Sequence, residues 1–314
     1  MKIKVIKIIL ASLLLFAANQ ARAAEYNFYV DANSSQEVQD GTQNYPWKTI
    51  TQATDYIREH GLKKERVYIS RGTYNESITL RNHTRLYGEN KENTIIDAGG
   101  KSAGIYFEST KSTIKDITVR NANNNLIVDR KSKVTVENCE MKDSAIVGIE
   151  IKKGSNRKSY VFTMTNSSVN GGKKYGIYAS ARRISLKGNY IHKNGEEGVD
   201  LHDGIKGTIR NNRIEDNGES GIELILAGTN LTIQSNDIKN NDAQGIGVQV
   251  YSSKKGKVNI KKNTITGNGK YGIKFIRFAS SLRDKFVTFI KKNVKLSKNT
   301  IRNNDDGDYN YDLN

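Results

Sequence analysis

The 314-residue chain holds one cysteine, one proline and one tryptophan. A lone cysteine, Cys139, excludes an intramolecular disulfide, so packing and hydrogen bonding must hold the fold together. No partner residue stands beside Cys139 in sequence, and it is expected to be a small buried residue rather than a nucleophile. After Ala24 no stretch is apolar enough to cross a bilayer, so no membrane insertion is expected once a leader is removed. Leucine is too scarce for a leucine-rich repeat. The antiparallel hairpins and aromatic girdles of a transmembrane barrel are also missing.

The chain opens as a targeting segment. Lys2, Lys4 and Lys7 precede the apolar run Ile8 to Ala18, and Ala21-Arg22-Ala23 reads as a cleavage site. Residues 1–24 are expected to be a signal peptide, and the protein to be exported to the periplasm or beyond the cell. The formal net charge is +17; the leader carries four basic residues and no acids, so the mature chain is 17 − 4 = +13. Such a charge suggests a polyanionic partner. For an exported protein that means acidic polysaccharide, lipopolysaccharide or a charged cell surface rather than nucleic acid, although a lysine-rich composition also serves solubility. A monomer is expected.

Residues 25–314 read as one domain. Within it, 25–66 form an N-terminal strand and cap helix. Tyr26 to Val30 has a strand pattern, and residues 31–46 are polar and turn-rich, with the only proline, Pro46. Thr49 is placed to N-cap a helix with Ile50, Ala53 and Ile57 on one face, and Gly61 to end it. Residues 67–305 are read as coils, with an insertion at 275–293 and an acidic tail at 306–314. The insertion alternates Ile276, Phe278, Leu282, Phe286, Val287 and Phe289 with cations. It can wall a groove or cover the open end of the fold, and the covering role is favoured because an end exposes unpaired strand edges.

The coils are visible as a repeat. An apolar residue is followed seven positions later by Gly and then by an apolar–x–apolar triplet. Ile191 pairs in this way with Gly198-Val199-Asp200-Leu201, and Ile214 with Gly221-Ile222-Glu223-Leu224. The glycines Gly148, Gly176, Gly198, Gly221, Gly245 and Gly272 are 28, 22, 23, 24 and 27 residues apart. Two Asn series accompany them: Asn189, Asn212, Asn236, Asn263 and Asn299 lie two before the anchor, and Asn194, Asn217, Asn241, Asn268 and Asn304 lie three after it. Asn tolerates the left-handed conformation and bonds to nearby backbone. Stacked from coil to coil, these side chains can bond to one another. Period, short strands and turns together predict an all-β fold, a right-handed single-stranded parallel β-helix with a short N-terminal cap helix.

This repeat, over roughly residues 95–305, resembles the right-handed parallel β-helices of pectate lyases, polysaccharide epimerases and related secreted proteins. The block from Phe28-Tyr29-Val30-Asp31 through Pro46-Trp47-Lys48 is similar to the opening of many exported members. The resemblance implies the fold and leaves the activity to the site.

If Ile149, Ile177, Val199, Ile222, Ile246 and Ile273 point inward, the next residue on each strand points out. That outward ladder reads Glu150, Tyr178, Asp200, Glu223, Gly247, Lys274. The ladder two positions on reads Lys152, Ser180, His202, Ile225, Gln249, Ile276. Coils lie about 4.8 Å apart and same-face residues on a strand about 6.6 Å apart, so Asp200, His202 and Tyr178 can share one patch. Abstracting the C5 proton of a uronic acid needs a base near neutral pKa, which His202 supplies, and a second acid or base, for which Tyr178 is suited. It also needs the substrate carboxylate neutralised, for which Lys152, Arg182 and Arg183 are candidates. Asp203, Glu223 and Gln249 complete the expected substrate-binding set.

Gly198-Val199-Asp200-Leu201-His202-Asp203 is similar to the Tyr-Gly-Phe-Asp-Pro-His and Asp-Pro-His-Asp motifs of mannuronan C5-epimerases. That match implies that Asp200 and His202 are catalytic-motif residues. Leu201 stands where that family has proline, and Glu197 where it has tyrosine. A calcium-dependent lyase would instead need clustered carboxylates. Asp200, Asp203 and Glu223 are the nearest approach, spread over two coils, so no metal site is assigned and a calcium cofactor stays open. Asp305-Asp306-Gly307-Asp308 lacks the closing Glu of a calcium loop. The expected function is C5 proton abstraction on an acidic polysaccharide, as C5-epimerase or lyase. The alternative is a non-catalytic β-helix that binds glycan or a cell surface.

Overall fold

The computed structural model describes residues 26–154, 161–180, 182–202 and 204–311. The leader 1–24 and Asp203 lie outside the described residues. The chain winds as a right-handed parallel β-helix. Each coil contributes one strand to each of three parallel sheets. One coil shows the path: Val199–His202 lies in the first sheet, Lys206–Arg210 in the second and Arg213–Glu215 in the third. Among the described residues the first and third sheets have 10 strands each and the second has 11.

The inward positions build the core. Ile149, Ile177, Val199, Ile222, Ile246 and Ile273 are all fully buried, in register from coil to coil. Each such side chain contributes about 2 kcal/mol of burial free energy. The β-branched residues suit the extended backbone and stack on their counterparts one coil away. Cys139 is buried among them, and burial raises its thiol pKa to about 12, which makes it a poor nucleophile.

The recurring glycines are required by space. A Cβ on Gly245 would sit 2.3 Å from Ile265 Cγ2 and 2.8 Å from the carbonyl oxygen of Gly272. The turn backbone therefore packs against the next coil with no room for a side chain.

Both Asn series form buried ladders. Asn212 Nδ2 donates to Asn236 Oδ1 at 2.9 Å, and Asn217 Nδ2 donates to Asn241 Oδ1 at 2.8 Å. One detail differs from expectation. The left-handed residue is the one before each ladder Asn: Asn211 at φ 54°, Asp216 at 54°, Ser235 at 55° and Asn240 at 52°. The preceding residue turns the chain, and the ladder Asn uses its amide to bind backbone and neighbour.

The N-terminal cap is as the sequence predicts. Phe28–Val30 adds the first strand to the edge of the second sheet. Helix α1 (Ile50–Glu59) starts at a capping box between Thr49 and Gln52 and buries Ile50, Ala53 and Ile57. It covers the open end of the core.

Two boundaries at the C-terminal end need correction. The insertion starts later than Phe275, because Tyr271–Arg277 is a full strand of the first sheet and Phe275 is fully buried in the core. The excursion proper holds a 3₁₀ turn, Ser280–Lys285, and helix α2 (Phe286–Asn293), which bury Leu282, Phe286 and Ile290. These side chains join the hydrophobic core, while Leu296, Ile301 and Tyr311 of the last coil are only partly buried. The acidic tail is also corrected. Gly307–Tyr311 forms the last strand of the first sheet, pairing Ile273 with Tyr309 and Phe275 with Tyr311. Tyr311 stacks on Phe275 with ring centroids 4.9 Å apart. Backbone pairing and this aromatic contact outweigh the repulsion of the three aspartates before it.

Candidate active site

The outward face of the first sheet carries the chemistry. Tyr178, Asp200 and Glu223 face one another across adjacent strands, and Ser180 is opposite His202. His202 Nε2 is hydrogen bonded to Asp200 Oδ2 at 3.0 Å; Oδ1 is as close, at 2.9 Å, but is not aligned for a hydrogen bond. The two residues alternate on one strand, so both side chains leave the same side of the sheet. Asp200 is nearly buried and His202 about one-third exposed. A carboxylate partner fixes Nε2 as the protonated nitrogen and leaves Nδ1 to carry the lone pair. The Tyr178 ring lies against the imidazole, with centroids 5.2 Å apart.

Glu223 extends this patch by one coil. Its carboxyl pKa is raised to about 7, first by burial and then by the charges of Asp200 and Glu219, with His202 opposing. Gln249 Nε2 donates to Glu223 Oε1 at 2.5 Å. Tyr178, Asp200, His202, Glu223 and Gln249 are therefore brought together.

The three expected cations are not. Arg182 is fully buried, and its guanidinium donates to the main-chain carbonyls of Asp129, Arg130 and Ser132. It fastens a turn two coils away and cannot meet a substrate. Arg183 begins Arg183–Lys187, a strand of the second sheet, around the corner from the patch. Lys152 directly follows Val147–Ile151, a strand of the first sheet, but its Nζ reaches over the Tyr106 ring at 5.3 Å, away from His202. Sequence position placed all three near the groove. Side-chain packing and the corner between sheets took them out of it.

Sequence reasoning missed several other residues. Glu197, in the turn leading into Val199–His202, is nearly buried, and its carboxyl is held well above the ordinary carboxylate range by burial and by a hydrogen bond with the Glu219 side chain. Its signal was visible: it stands just before Gly198, where sister coils have Tyr175, Ser220, Gln244 and Tyr271. Tyr175 packs on Tyr178 with centroids 5.7 Å apart. On the other flank Tyr251 and Phe278 are stacked at 4.4 Å, nearly parallel, and both are more than half exposed to solvent. The phenol pKa of Tyr251 is raised by burial, then by Glu223 and Asp200.

The result is an acidic centre with one histidine, flanked by aromatic rings, on a strongly basic protein. Among the described residues no group of three or more His, Cys, Asp or Glu is arranged to hold a metal ion. No helix among them is long and apolar enough to cross a membrane.

The family model described as right-handed beta helix region matches residues 68–183, 103–242 and 156–283. No curated protein matches the sequence. Among solved structures, pectate lyase Pel9A is similar at a TM-score of 0.62 and 17% identity, covering 88% of this chain and 78% of that one. The mannuronan C-5 epimerase AlgE4 A-module of Azotobacter vinelandii is similar at 0.54 and 17%, covering 90% and 97%. The periplasmic alginate epimerase AlgG is similar at 0.51 and 14%, covering 79% and 70%. At these identities the likeness is one of fold.

Proposed function

We propose, from the premise that this chain belongs to the right-handed β-helix family, that it is an exported carbohydrate-active enzyme. In this reading it abstracts the C5 proton of a uronate in an acidic polysaccharide, as C5-epimerase or lyase. The observation that carries the reading is the Asp200–His202 hydrogen bond with the Tyr178 ring against the imidazole, on an outward face flanked by aromatic pairs.

The chemistry follows from charge. Removing the C5 proton pushes an electron pair toward the adjoining carboxylate, so the transition state carries more negative charge there. His202 takes the proton on Nδ1, and Asp200 orients the ring and stabilises the imidazolium that forms. A hydrogen-bond donor aimed at the substrate carboxylate becomes stronger as charge accumulates. The cations expected from sequence do not fill that role. A protonated Glu223 does, since its carboxyl keeps its proton up to about pH 7. Tyr178 is the second acid or base: it returns a proton to C5 in an epimerase, or protonates the departing O4 in a lyase. Tyr175 and Tyr178 on one flank, and Tyr251 and Phe278 on the other, offer ring faces for sugar stacking.

The test is incubation of the purified protein in heavy water with polymannuronate and with polygalacturonate. Lyase action gives unsaturated ends that absorb in the ultraviolet; epimerisation leaves deuterium at C5. If neither product forms while glycan binding persists, the chain is a binding β-helix and the catalytic reading fails.

A further inference from the structure

The second sheet, not the first, carries the positive charge of this protein in ordered rows. Its strands place three outward residues per coil. The middle row is a run of hydroxyls: Thr113, Thr135, Thr163, Ser185, Thr208 and Thr232, each paired with the next across parallel strands. One flank is the row Lys111, Lys133, Arg183, Lys206 and Lys257, with Val161 and Asn230 between them. The other flank holds Lys115, Lys187, Arg210 and Lys261. From Lys111 to Lys261 the only outward carboxylate on these strands is Glu137, ion-paired with Lys115 at 2.9 Å. Lys111, Lys133, Lys187, Arg210 and Lys257 are exposed.

The same sheet ends, toward the N-terminus, in an aromatic cluster. The Tyr26 ring lies 5.2 Å from Tyr68 and 5.5 Å from Tyr87, and Tyr29 lies 6.0 Å from Tyr68. The Arg66 guanidinium sits 5.0 Å from the Tyr87 ring.

We infer that this face is a second glycan-binding surface, separate from the His202 groove, on which one extended strand of acidic polysaccharide lies along the helix axis. The charge complementarity is direct: two cationic rows bracket a stripe about 13 Å wide, the span of four residues along a strand being twice the same-face spacing. Carboxylates projecting from either side of the polymer meet lysine or arginine. The hydroxyl row repeats about every 4.8 Å, a spacing near the length of one sugar ring, and presents both donors and acceptors to sugar hydroxyls. The tyrosine cluster supplies a stacking platform at one end, as sugar rings require. A flat lipid surface would use the charge but has no need of a polar hydroxyl stripe or of an aromatic platform confined to one end. The identity of the polymer, the same acidic class as the groove's substrate, rests on the functional reading above; the existence of the surface does not. In this arrangement the acidic centre works on a chain that the basic face retains.

The experiment is equilibrium binding of the full chain to polyuronate oligomers and to anionic vesicles, over a range of salt. The variant Lys133→Glu/Lys187→Glu/Arg210→Glu changes three exposed residues, and its thermal midpoint is compared with wild type to establish that it folds. A comparison variant, Lys173→Glu/Lys193→Glu, changes exposed lysines in turns away from this face. Loss of affinity for polyuronate of about ten-fold or more in the first variant only, with a shallower salt dependence, supports the surface. Equal affinities in the first variant and wild type overturn it. Binding of wild type to vesicles but not to polyuronate also overturns it, in favour of a lipid partner. His202→Ala is expected to bind polyuronate as wild type does. If that single change abolishes binding, the groove is the only glycan site and the inference is wrong, whether or not the enzyme reading stands.

Discussion

His202 and Asp200 stand two residues apart on one strand and meet at 3.0 Å, while the next carboxylate of the same ladder, Glu223, carries a pKa near 7. One coil therefore offers an oriented imidazole, and the coil after it a carboxyl whose pKa, raised to about 7, leaves about half of it protonated at neutral pH. In the mechanism proposed above, the imidazole is the base and the Glu223 carboxyl one coil away is the hydrogen-bond donor.

His202→Ala should lower kcat on polyuronate by about 10²–10⁴-fold, the usual contribution of a general base. Asp200→Asn keeps the shape of the pair but removes the charge that holds the imidazolium, and should lower kcat by a smaller factor. Steady-state kinetics on either product signal checks both. An unchanged kcat in His202→Ala removes this residue from the mechanism.

The pH profile should have an upper limb set by Glu223. Its folded pKa lies above the ordinary carboxylate value, so the protonated donor is present at low pH and disappears as pH rises through about 7. The rate kcat/KM should then fall toward about ten-fold per pH unit. In Glu223→Gln, whose amide donates at every pH, that limb should be absent. A limb that persists unchanged in Glu223→Gln belongs to another group.

Glu197 should make stability depend on pH. Its folded pKa is raised, so the folded state holds a proton that the unfolded chain releases above its ordinary value of 4.5. The stabilisation is complete below that value and is lost as pH rises toward the folded pKa. Glu197→Gln should escape this loss, and should gain about 1–3 kcal/mol on wild type between pH 5 and pH 8.5. Urea unfolding at the two pH values measures the difference; equal gains at both would contradict a buried, shared proton.

Arg182→Met should destabilise the protein by about 2–4 kcal/mol, because three main-chain carbonyls, the Ser132 one buried, lose their donor. The KM for polyuronate should not change in the protein that remains folded. A raised KM at full stability would return Arg182 to the substrate.

Asn236→Ala should be similarly costly, at about 2–4 kcal/mol by denaturant unfolding. Its amide donates to Ile209 O and Asn263 Oδ1, and its Oδ1 accepts from Asn212, all inside the core. A loss below about 0.5 kcal/mol would mean that the ladder is decorative.

The sequence alone determined the architecture, down to which residue of each coil faces inward. A parallel β-helix repeats one local arrangement, so anchor, Gly and Asn spacings encode the register directly: Ile149 does meet Ile177, and Asn212 does meet Asn236. The ladder through Tyr178, Asp200 and Glu223 followed from the same period-two alternation. Tertiary structure decided which charges reach that ladder. Arg182 and Arg183 are only two and three residues beyond Ser180, yet the chain turns its corner there, so one guanidinium is buried against carbonyls and the other belongs to the second sheet. Long side chains and corners are not periodic, and their destination depends on contacts with neighbouring coils. The proton on Glu197 is of the same kind: its residue type is in the sequence, but burial beside Glu219 exists only once two coils have stacked.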